Sequence, residues 1–507
     1  MYYQNLKNKK ICMLGLGVEN EALIKFLLEK RNEKIDIRCP NNLSRDCVRD
    51  KLFGHRMSFT ICDRRSKKQL GKRYDELKKY KNINWKLGKN YDKNLSNYNI
   101  IFRIAGYPLF SKEIGKAKKF GVEISSATKL FFDLCPSKNI IGVTGTAGKG
   151  TTASLIYSIL KTAGKSVFLG GNIGIAMFDF FKKIKKHDWI ILELSSFQLE
   201  DLHKGPKIAV ITNFFKDHLA PANPNNSNYH KSMKDYWQAK LNITKFGNQL
   251  SIINCQLSIV NYQSKQYFFS ALDKNADAYF KDKNTLCVMR STLCVPRYAS
   301  FKENIAAAAL ATKLAGVKIS DIIQGIKKFK GLKHRLEFVK TINGVKYYTD
   351  SCSKTPENTI MALKTLGTQE TKFPKIAPPQ FSSLREENWG GAIFGNLVSA
   401  RKIILIAGGA DKGAHFKQLA KEIKKYVKFM ILLKGKATTK INNELLKIKY
   451  PKNKIKLVYS MKQAIQVAKS HAISGDIILL SPACASFGMF KNYKERGELF
   501  KLEVKEL

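Results

Sequence analysis

The sequence predicts an α/β chain of three domains, each built on a mostly parallel sheet. Three observations carry this. The 507 residues exceed one ordinary domain. Short apolar runs alternate with helical patterns along most of the chain, the rhythm of βαβ units. A glycine-rich turn follows one such run near residue 145 and leads into a helix. Boundaries near Pro136 and Gly331 give domains 1–136, 137–330 and 331–507.

In the first domain, Lys10 to Leu14 reads as a strand, followed by Gly15-Leu16-Gly17 and a helix through about Leu28. Ser58 to Cys62 reads as a strand ending at Asp63, and Asn99 to Phe102 as a later one. Arg38 to Arg56 fits no element and reads as an insertion. In the second domain, Asn139 to Val143 is an apolar run before the glycine-rich turn, with a helix from about Thr151. Trp189 to Leu194 and Ile208 to Thr212 are further buried-strand runs, Asn223 to Asn228 is a polar loop, and Glu303 to Ala315 is an alanine-rich helix. In the third, strands are expected at Val345 to Thr349, Lys402 to Ala407, Phe429 to Leu433, Lys456 to Tyr459 and Asp476 to Leu480. Helical patterns between the later ones give a doubly wound parallel sheet. Gly367 to Leu397, with Pro374, Pro378 and Pro379, reads as a loop insertion. No internal repeat is visible.

Composition narrows the class. An apolar share of 44% is that of a chain with packed cores. No run approaches the roughly 18 apolar residues of a membrane helix, and Met1 to Lys10 lacks the pattern of a signal peptide. The ten cysteines include no C-x-x-C pair and read as reduced thiols of a cytoplasmic protein. The formal charge of +49 raises nucleic-acid binding. Yet the lysines are spread along the whole chain, as at Lys182, Lys183, Lys185 and Lys186 and again at Lys421, Lys424, Lys425 and Lys428. A solvated basic surface that attracts anionic nucleotides is expected, with no specific nucleic-acid partner and no membrane.

The strongest chemical signal is Gly142-Val143-Thr144-Gly145-Thr146-Ala147-Gly148-Lys149-Gly150-Thr151-Thr152. A strand–loop–helix context lets glycines turn backbone N–H groups inward as an anion cradle, and the helix N-terminus adds partial positive charge. Lys149 can then reach the terminal phosphates, and a threonine hydroxyl nearby can ligate Mg²⁺. Gly150 stands where a hydroxyl normally follows the lysine. Thr151 is the next candidate, unless the helix start is shifted by one.

With this loop the sequence resembles the Mur ligases, which share it with folylpolyglutamate synthetases. Roughly 140 residues precede the loop, as in the Mur enzymes. Further segments resemble the D-glutamate-adding branch: Gly170-Gly171-Asn172-Ile173-Gly174, Glu193-Leu194-Ser195-Ser196-Phe197-Gln198-Leu199, Gly331 to Glu337, Ala407 to Gly413, and above all Leu480 to Ser486 followed by Phe490 to Tyr493 and Arg496-Gly497. The resemblance implies a Rossmann-like first domain, a central ATPase-like parallel sheet with the phosphate loop, and a Rossmann-like third domain, usually in a monomer. It also implies a reaction. The carboxylate of UDP-N-acetylmuramoyl-L-alanine attacks the γ-phosphate of ATP, and the amine of D-glutamate then displaces phosphate from the acyl phosphate. All reactants are anionic, so charge neutralisation and positioning dominate catalysis.

Residue by residue, the resemblance assigns Glu193 to the Mg²⁺ between the phosphates and His218 to a second Mg²⁺, with Lys240 as a carbamate, beside the loop's own candidate Thr151. Asn304 lies near the adenine, Arg335 reaches the phosphates from the third domain, and Asp350 reaches the ribose. Thr355, Lys412, Ser486 and Tyr493 hold D-glutamate, and Asn172 contacts substrate. Cys352 stands where many relatives have a lysine. In the first domain Gly17 and Gly106 approach the diphosphate, while Asp63 meets the uracil or ribose with Arg64 or Arg65 beside it. Two turns depart from the family: its Ser/Thr-Gly is Glu19-Asn20 here, and Arg103-Ile104-Ala105-Gly106 stands in for its Ser-Pro-Gly.

Overall fold

The structure, a computed structural model, describes residues 9–29, 58–219, 228–247, 250–257, 264–282, 284–295, 301–367, 402–411 and 413–507. The expected insertions at 38–56 and 367–397 lie outside these residues, apart from Gly367, as does most of the 223–228 loop. The chain divides into two compact units, Met1–Lys330 and Gly331–Leu507.

The first unit holds two sheets. One comprises β1 (Lys10–Leu14), β2 (Ser58–Asp63), β3 (Ile83–Leu87), β4 (Ile100–Arg103) and β5 (Glu123–Ser125), in the order β3-β2-β1-β4-β5 and parallel throughout. Its order reverses at β1, so the β1 and β4 turns face each other across the crevice where such sheets bind ligands. The other comprises β6 (Ile140–Thr144), β7 (Val167–Gly171), β8 (Trp189–Glu193), β9 (Ile208–Ile211), β10 (Leu250–Asn254), β11 (Lys265–Phe269), β12 (Ala278–Phe280), β13 (Thr285–Val288) and β14 (Ser291–Cys294). It runs β14-β13-β12-β11-β10-β9-β6-β8-β7. Strands β6 and β8 are buried along their whole length, as apolar runs covered on both faces must be.

One departure from the expected parallel sheet is its far edge, where β12, β13 and β14 pair antiparallel. The β13–β14 hairpin turns at Met289 and Arg290, both with positive φ (44° and 65°). Such a turn normally advertises itself by Asn-Gly, so this one gives no sequence signal. Helix Lys149–Thr162 packs on helix Ile319–Lys328, where a Cβ on Gly325 would lie 2.5 Å from the Ile159 Cα. Glycine there lets the two backbones meet.

The second unit has one sheet of β15 (Glu337–Ile342), β16 (Val345–Thr349), β17 (Ile403–Ala407), β18 (Val427–Leu433), β19 (Ile455–Val458) and β20 (Ile477–Leu480), ordered β15-β16-β20-β17-β18-β19. All pairs are parallel except β15–β16. That hairpin turns at Asn343-Gly344, both with positive φ, the strongest short-range hairpin signal a sequence offers. Apolar cores cover both faces of the sheet.

Candidate active site

The phosphate loop leaves the end of β6 and enters helix Lys149–Thr162 at the lysine itself. Gly145 and Gly148 hold positive φ (142° and 79°). A Cβ on Gly145 would lie 2.0 Å from the Thr212 hydroxyl, and one on Gly148 2.4 Å from the Asn304 side-chain nitrogen. Neither position tolerates a side chain. The inward amides of Thr146 and Ala147 donate to the Asn213 carboxamide oxygen (3.2 and 2.8 Å), and Asn213 Nδ2 returns a bond to the Ala147 carbonyl (3.1 Å). Asn213 and Thr212 follow β9, the neighbour of β6. Sequence reasoning missed both, because nothing near the loop announces them.

Lys149 Nζ donates to the Thr146 carbonyl at 3.0 Å. Gly150, Thr151 and Thr152 are buried in the first turn, and the Thr151 hydroxyl has no hydrogen-bond partner among the described residues. Asn304, at the start of helix Lys302–Leu314, donates to the Gly148 carbonyl (3.1 Å) and to the Thr152 hydroxyl (3.0 Å), bracing the loop from the side.

Lys240 lies on helix Met233–Lys245, whose N-cap Ser232 accepts from the Asp235 amide. As a helix residue in isolation it passes for a solvated one, yet it is 2% exposed and donates to the Gly145 carbonyl at 2.6 Å. Burying an ammonium costs roughly several kcal/mol. Burial, aided by the Lys149 charge and opposed by Asp217 and Glu193, holds the amine well below the usual lysine range. Tyr236, one turn earlier, shares a hydrogen bond with the Thr146 hydroxyl (3.1 Å).

Glu193 ends β8 in register with Val143 and is buried. Asn172 is locked onto it twice, by its amide to the Glu193 carbonyl (2.8 Å) and by Nδ2 to the carboxylate (3.0 Å). The approach requires Gly171, whose Cβ would lie 2.3 Å from the Glu193 carbonyl oxygen. His218 sits in the left-handed region (φ 57°) beside Asp217 (3.4 Å) and the rings of Phe197 and Tyr236. Buried His230 anchors its backbone, donating its amide to the His218 carbonyl at 2.8 Å. The His230 ring stacks on Phe197 and bonds Ser196 at 2.9 Å. Burial, with the charges of His218 and Lys240, holds it down to about 4.

A metal fits this arrangement in one manner. Among the described residues no three His, Cys, Asp or Glu stand together as a ligand set. The buried Thr151 hydroxyl and the Glu193 carboxylate supply too few donors for a protein cage. They suit Mg²⁺, which takes one or two protein oxygens together with phosphate oxygens and water.

In the first sheet, Asp63 is already occupied. Its carboxylate accepts from the Leu16 amide (2.7 Å) and from the Arg65 amide and guanidinium, and Arg65 also donates to the Leu16 carbonyl. These bonds outweigh burial and hold its carboxyl below the ordinary value of 3.8. Arg64 is exposed, and Gly17 and Gly106 are half-buried. Gly15, at φ 87°, lies against Ile104 of the facing turn. Of the two altered turns, Glu19 meets Gln198 and Arg103 is buried against Glu200 and Asp201.

In the second unit, Arg335 is half-buried and follows His334, which has positive φ (61°) and packs on Gly497, where a Cβ would lie 2.2 Å from the ring. Asp350 accepts from the Leu336 amide (3.2 Å) and from the hydroxyls of Ser353 and Ser481, and burial pushes its carboxyl upward. The Thr355 hydroxyl is buried without a partner among the described residues. Ser486 is buried, and Lys354 lies over the Tyr493 ring at 4.5 Å. Lys412 lies outside the described residues. Arg496, quoted in a motif but given no role from sequence, is fully buried and joins Ser351 (3.0 and 2.8 Å) to the Cys484 carbonyl (3.3 Å), tying the 350–355 and 481–486 segments together.

Comparison with known proteins identifies the family. Residues 143–308 match the Mur ligase middle domain, and residues 392–484 the Mur ligase glutamate ligase domain. The chain is 34% identical to the UDP-N-acetylmuramoylalanine–D-glutamate ligase of Clostridium tetani, covering 99% of this chain and 97% of that one. It is 32% identical to the enzyme of the same name from Clostridium kluyveri, covering 100% and 98%. In fold it is similar to the UDP-N-acetylmuramate-alanine ligase MurC of Thermotoga maritima (TM-score 0.56, 15% identity, 98% and 100% covered). It is likewise similar to the MurF ligase of the same organism in complex with ADP (0.56, 16%, 89% and 96%). The chain therefore belongs to the Mur ligase family, on the branch of the UDP-N-acetylmuramoylalanine–D-glutamate ligases.

Proposed function

We propose that this chain uses ATP to join the carboxylate of UDP-N-acetylmuramoyl-L-alanine to the amine of D-glutamate, through an acyl phosphate. The observation that carries the reading is the glycine cradle over Lys149 and the buried Thr151 hydroxyl, in a chain alike to D-glutamate ligases from end to end.

On this reading the cradle amides and Lys149 bind the triphosphate. Asn304 holds the loop's shape from beside, near where the adenine lies. Thr151, Glu193 and His218 hold Mg²⁺, which would screen phosphate charge when bound. Lys240, held toward its neutral amine, is in the form that takes up CO₂ as a carbamate, and the resulting anion would complete the donor set. Arg335 neutralises charge that builds on the transferred phosphoryl group. Asp350 fixes the Leu336 amide and with it the segment that carries Arg335, close to the ribose. Thr355, Ser486, Tyr493 and Lys412 take D-glutamate, with the partnerless Thr355 hydroxyl available to one of its carboxylates. Asn172 positions substrate beside Glu193. Gly17, Gly106 and Arg64 line the approach of the UDP moiety, and Asp63 shapes it through Leu16.

The test is phosphate release with UDP-N-acetylmuramoyl-L-alanine and ATP, comparing D-glutamate with L-glutamate, L-lysine and D-alanine. Turnover with D-glutamate alone is expected. Preference for another amino acid, or product formation without nucleotide, overturns the proposal.

A further inference from the structure

The two first-domain turns that depart from the family carry charged residues, Glu19 and Arg103, and both charges act on the same segment of the central domain. Arg103 ends β4 and is 1% exposed. Its guanidinium donates to the Tyr107 carbonyl (3.1 Å) and, across 94–98 residues of chain, to the Phe197 carbonyl (3.0 Å), Glu200 (3.1 Å) and Asp201 (3.3 Å). The Glu19 carboxylate accepts from Gln198 Nε2. His230 bonds Ser196 at 2.9 Å and lies 3.6 Å from the second Glu200 oxygen. Residues 196–201 are thus held by the first sheet and by His230 together, immediately after Glu193 and the Ser195 cap.

The charge balance makes Arg103 the keystone of this grip. A buried carboxylate is tolerated only when paired, and one guanidinium serves both Glu200 and Asp201. Burial pushes the Glu200 carboxyl up to about 7 against the pull of Arg103, so without the guanidinium Glu200 tends to take a proton, both side chains lose the donor that fixes them, and the segment loosens. A shift there moves the turn that sets Glu193 and Asn172 beside the phosphate loop.

We propose that Arg103 is a positioning residue of the ligase, a strut from the first sheet that fixes the Glu193–Asp201 segment in register with the phosphate loop. The proposal rests on the ligase reading above. The full-length chain, R103K and R103S are compared by hydrogen exchange over residues 194–202 and by steady-state kinetics with each substrate varied. R103S is expected to speed exchange there about tenfold or more and to lower kcat about 100-fold, the scale of an ångström misplacement. Its KM for ATP should move less than about threefold, and R103K should recover part of both effects. A merely structural role lowers Tm but leaves kcat per folded molecule unchanged. Exchange at the wild-type rate overturns the proposal, as does faster exchange with every kinetic constant within about twofold. Should R103S fail to fold, D201N loosens the same grip more gently and is judged by the same two readings. If the wild-type chain makes no product, the ligase reading fails, while the exchange comparison still decides whether the strut exists.

Discussion

Two loops in the first unit have the same origin and opposite fates. Each follows the first strand, in chain order, of its sheet, carries a glycine at positive φ, and turns an amide inward where an anion can sit. After β1 the anion is the protein's own: Asp63 accepts the Leu16 amide at 2.7 Å and is neutralised by Arg65. After β6 the amides of Thr146 and Ala147 rest on the carboxamide of Asn213, which is neutral. A carboxylate closes such a turn, whereas an amide satisfies it without cancelling its positive potential. That difference of one charged group leaves the β6 loop its positive potential, which the proposed function gives to the triphosphate, while the β1 turn is closed on its own carboxylate.

The comparison breaks most completely at Gly148→Ala. A Cβ there collides with Asn304 and the left-handed backbone is strained, so about a 100-fold loss of phosphate release is expected, with a stability cost of about 1–3 kcal/mol. Kinetics and thermal melting measure both. An alanine variant with near wild-type turnover would show that the cradle is not the nucleotide site.

Asn213→Asp sharpens the comparison by making the second loop like the first. A carboxylate on the Thr146 and Ala147 amides should raise the KM for ATP about tenfold or more, because charge repels charge strongly in a half-buried site. Asn213→Ala, which empties the position without charging it, should raise it less. Equal effects from both would assign Asn213 to loop shape alone.

The smallest effect is expected at Asp63→Asn, which keeps shape and removes charge, at a stability cost of about 1–2 kcal/mol. Because the Asp63 carboxyl is held below 3.8 when folded, its contribution is present above that pH and fades as pH falls through its lowered folded value. The gap between the two melting temperatures should therefore close in acid. A gap independent of pH would mean the charge of Asp63 contributes nothing.

These contrasts also mark what sequence could reveal. The phosphate loop was legible because its chemistry is contiguous: glycines, lysine and threonine fall within eight residues across a strand-to-helix junction. Strand cores such as β6, β8 and β17 were legible because burial on both faces leaves unbroken apolar runs. Asn213 and the Glu200–Asp201 pair were not, since each acquires meaning only from a partner far away in the chain. Lys240 shows the same limit from another side, because its helix surface reads as solvated until Gly145 is placed over it. The Asn343-Gly344 hairpin could have been read, whereas the Met289-Arg290 hairpin carries no glycine or asparagine to betray it.

The strand order of the second unit bears on how the molecule is made. β20 is the last strand to be synthesised, yet it lies between β16 and β17 and hydrogen-bonds to both. Until Ile477–Leu480 has left the ribosome, that sheet exists only as two separate halves with exposed edges. A message truncated before this point yields a nascent chain whose first two sheets are complete in sequence but whose third has no centre. Quality-control proteases would meet it as a sticky, half-finished molecule.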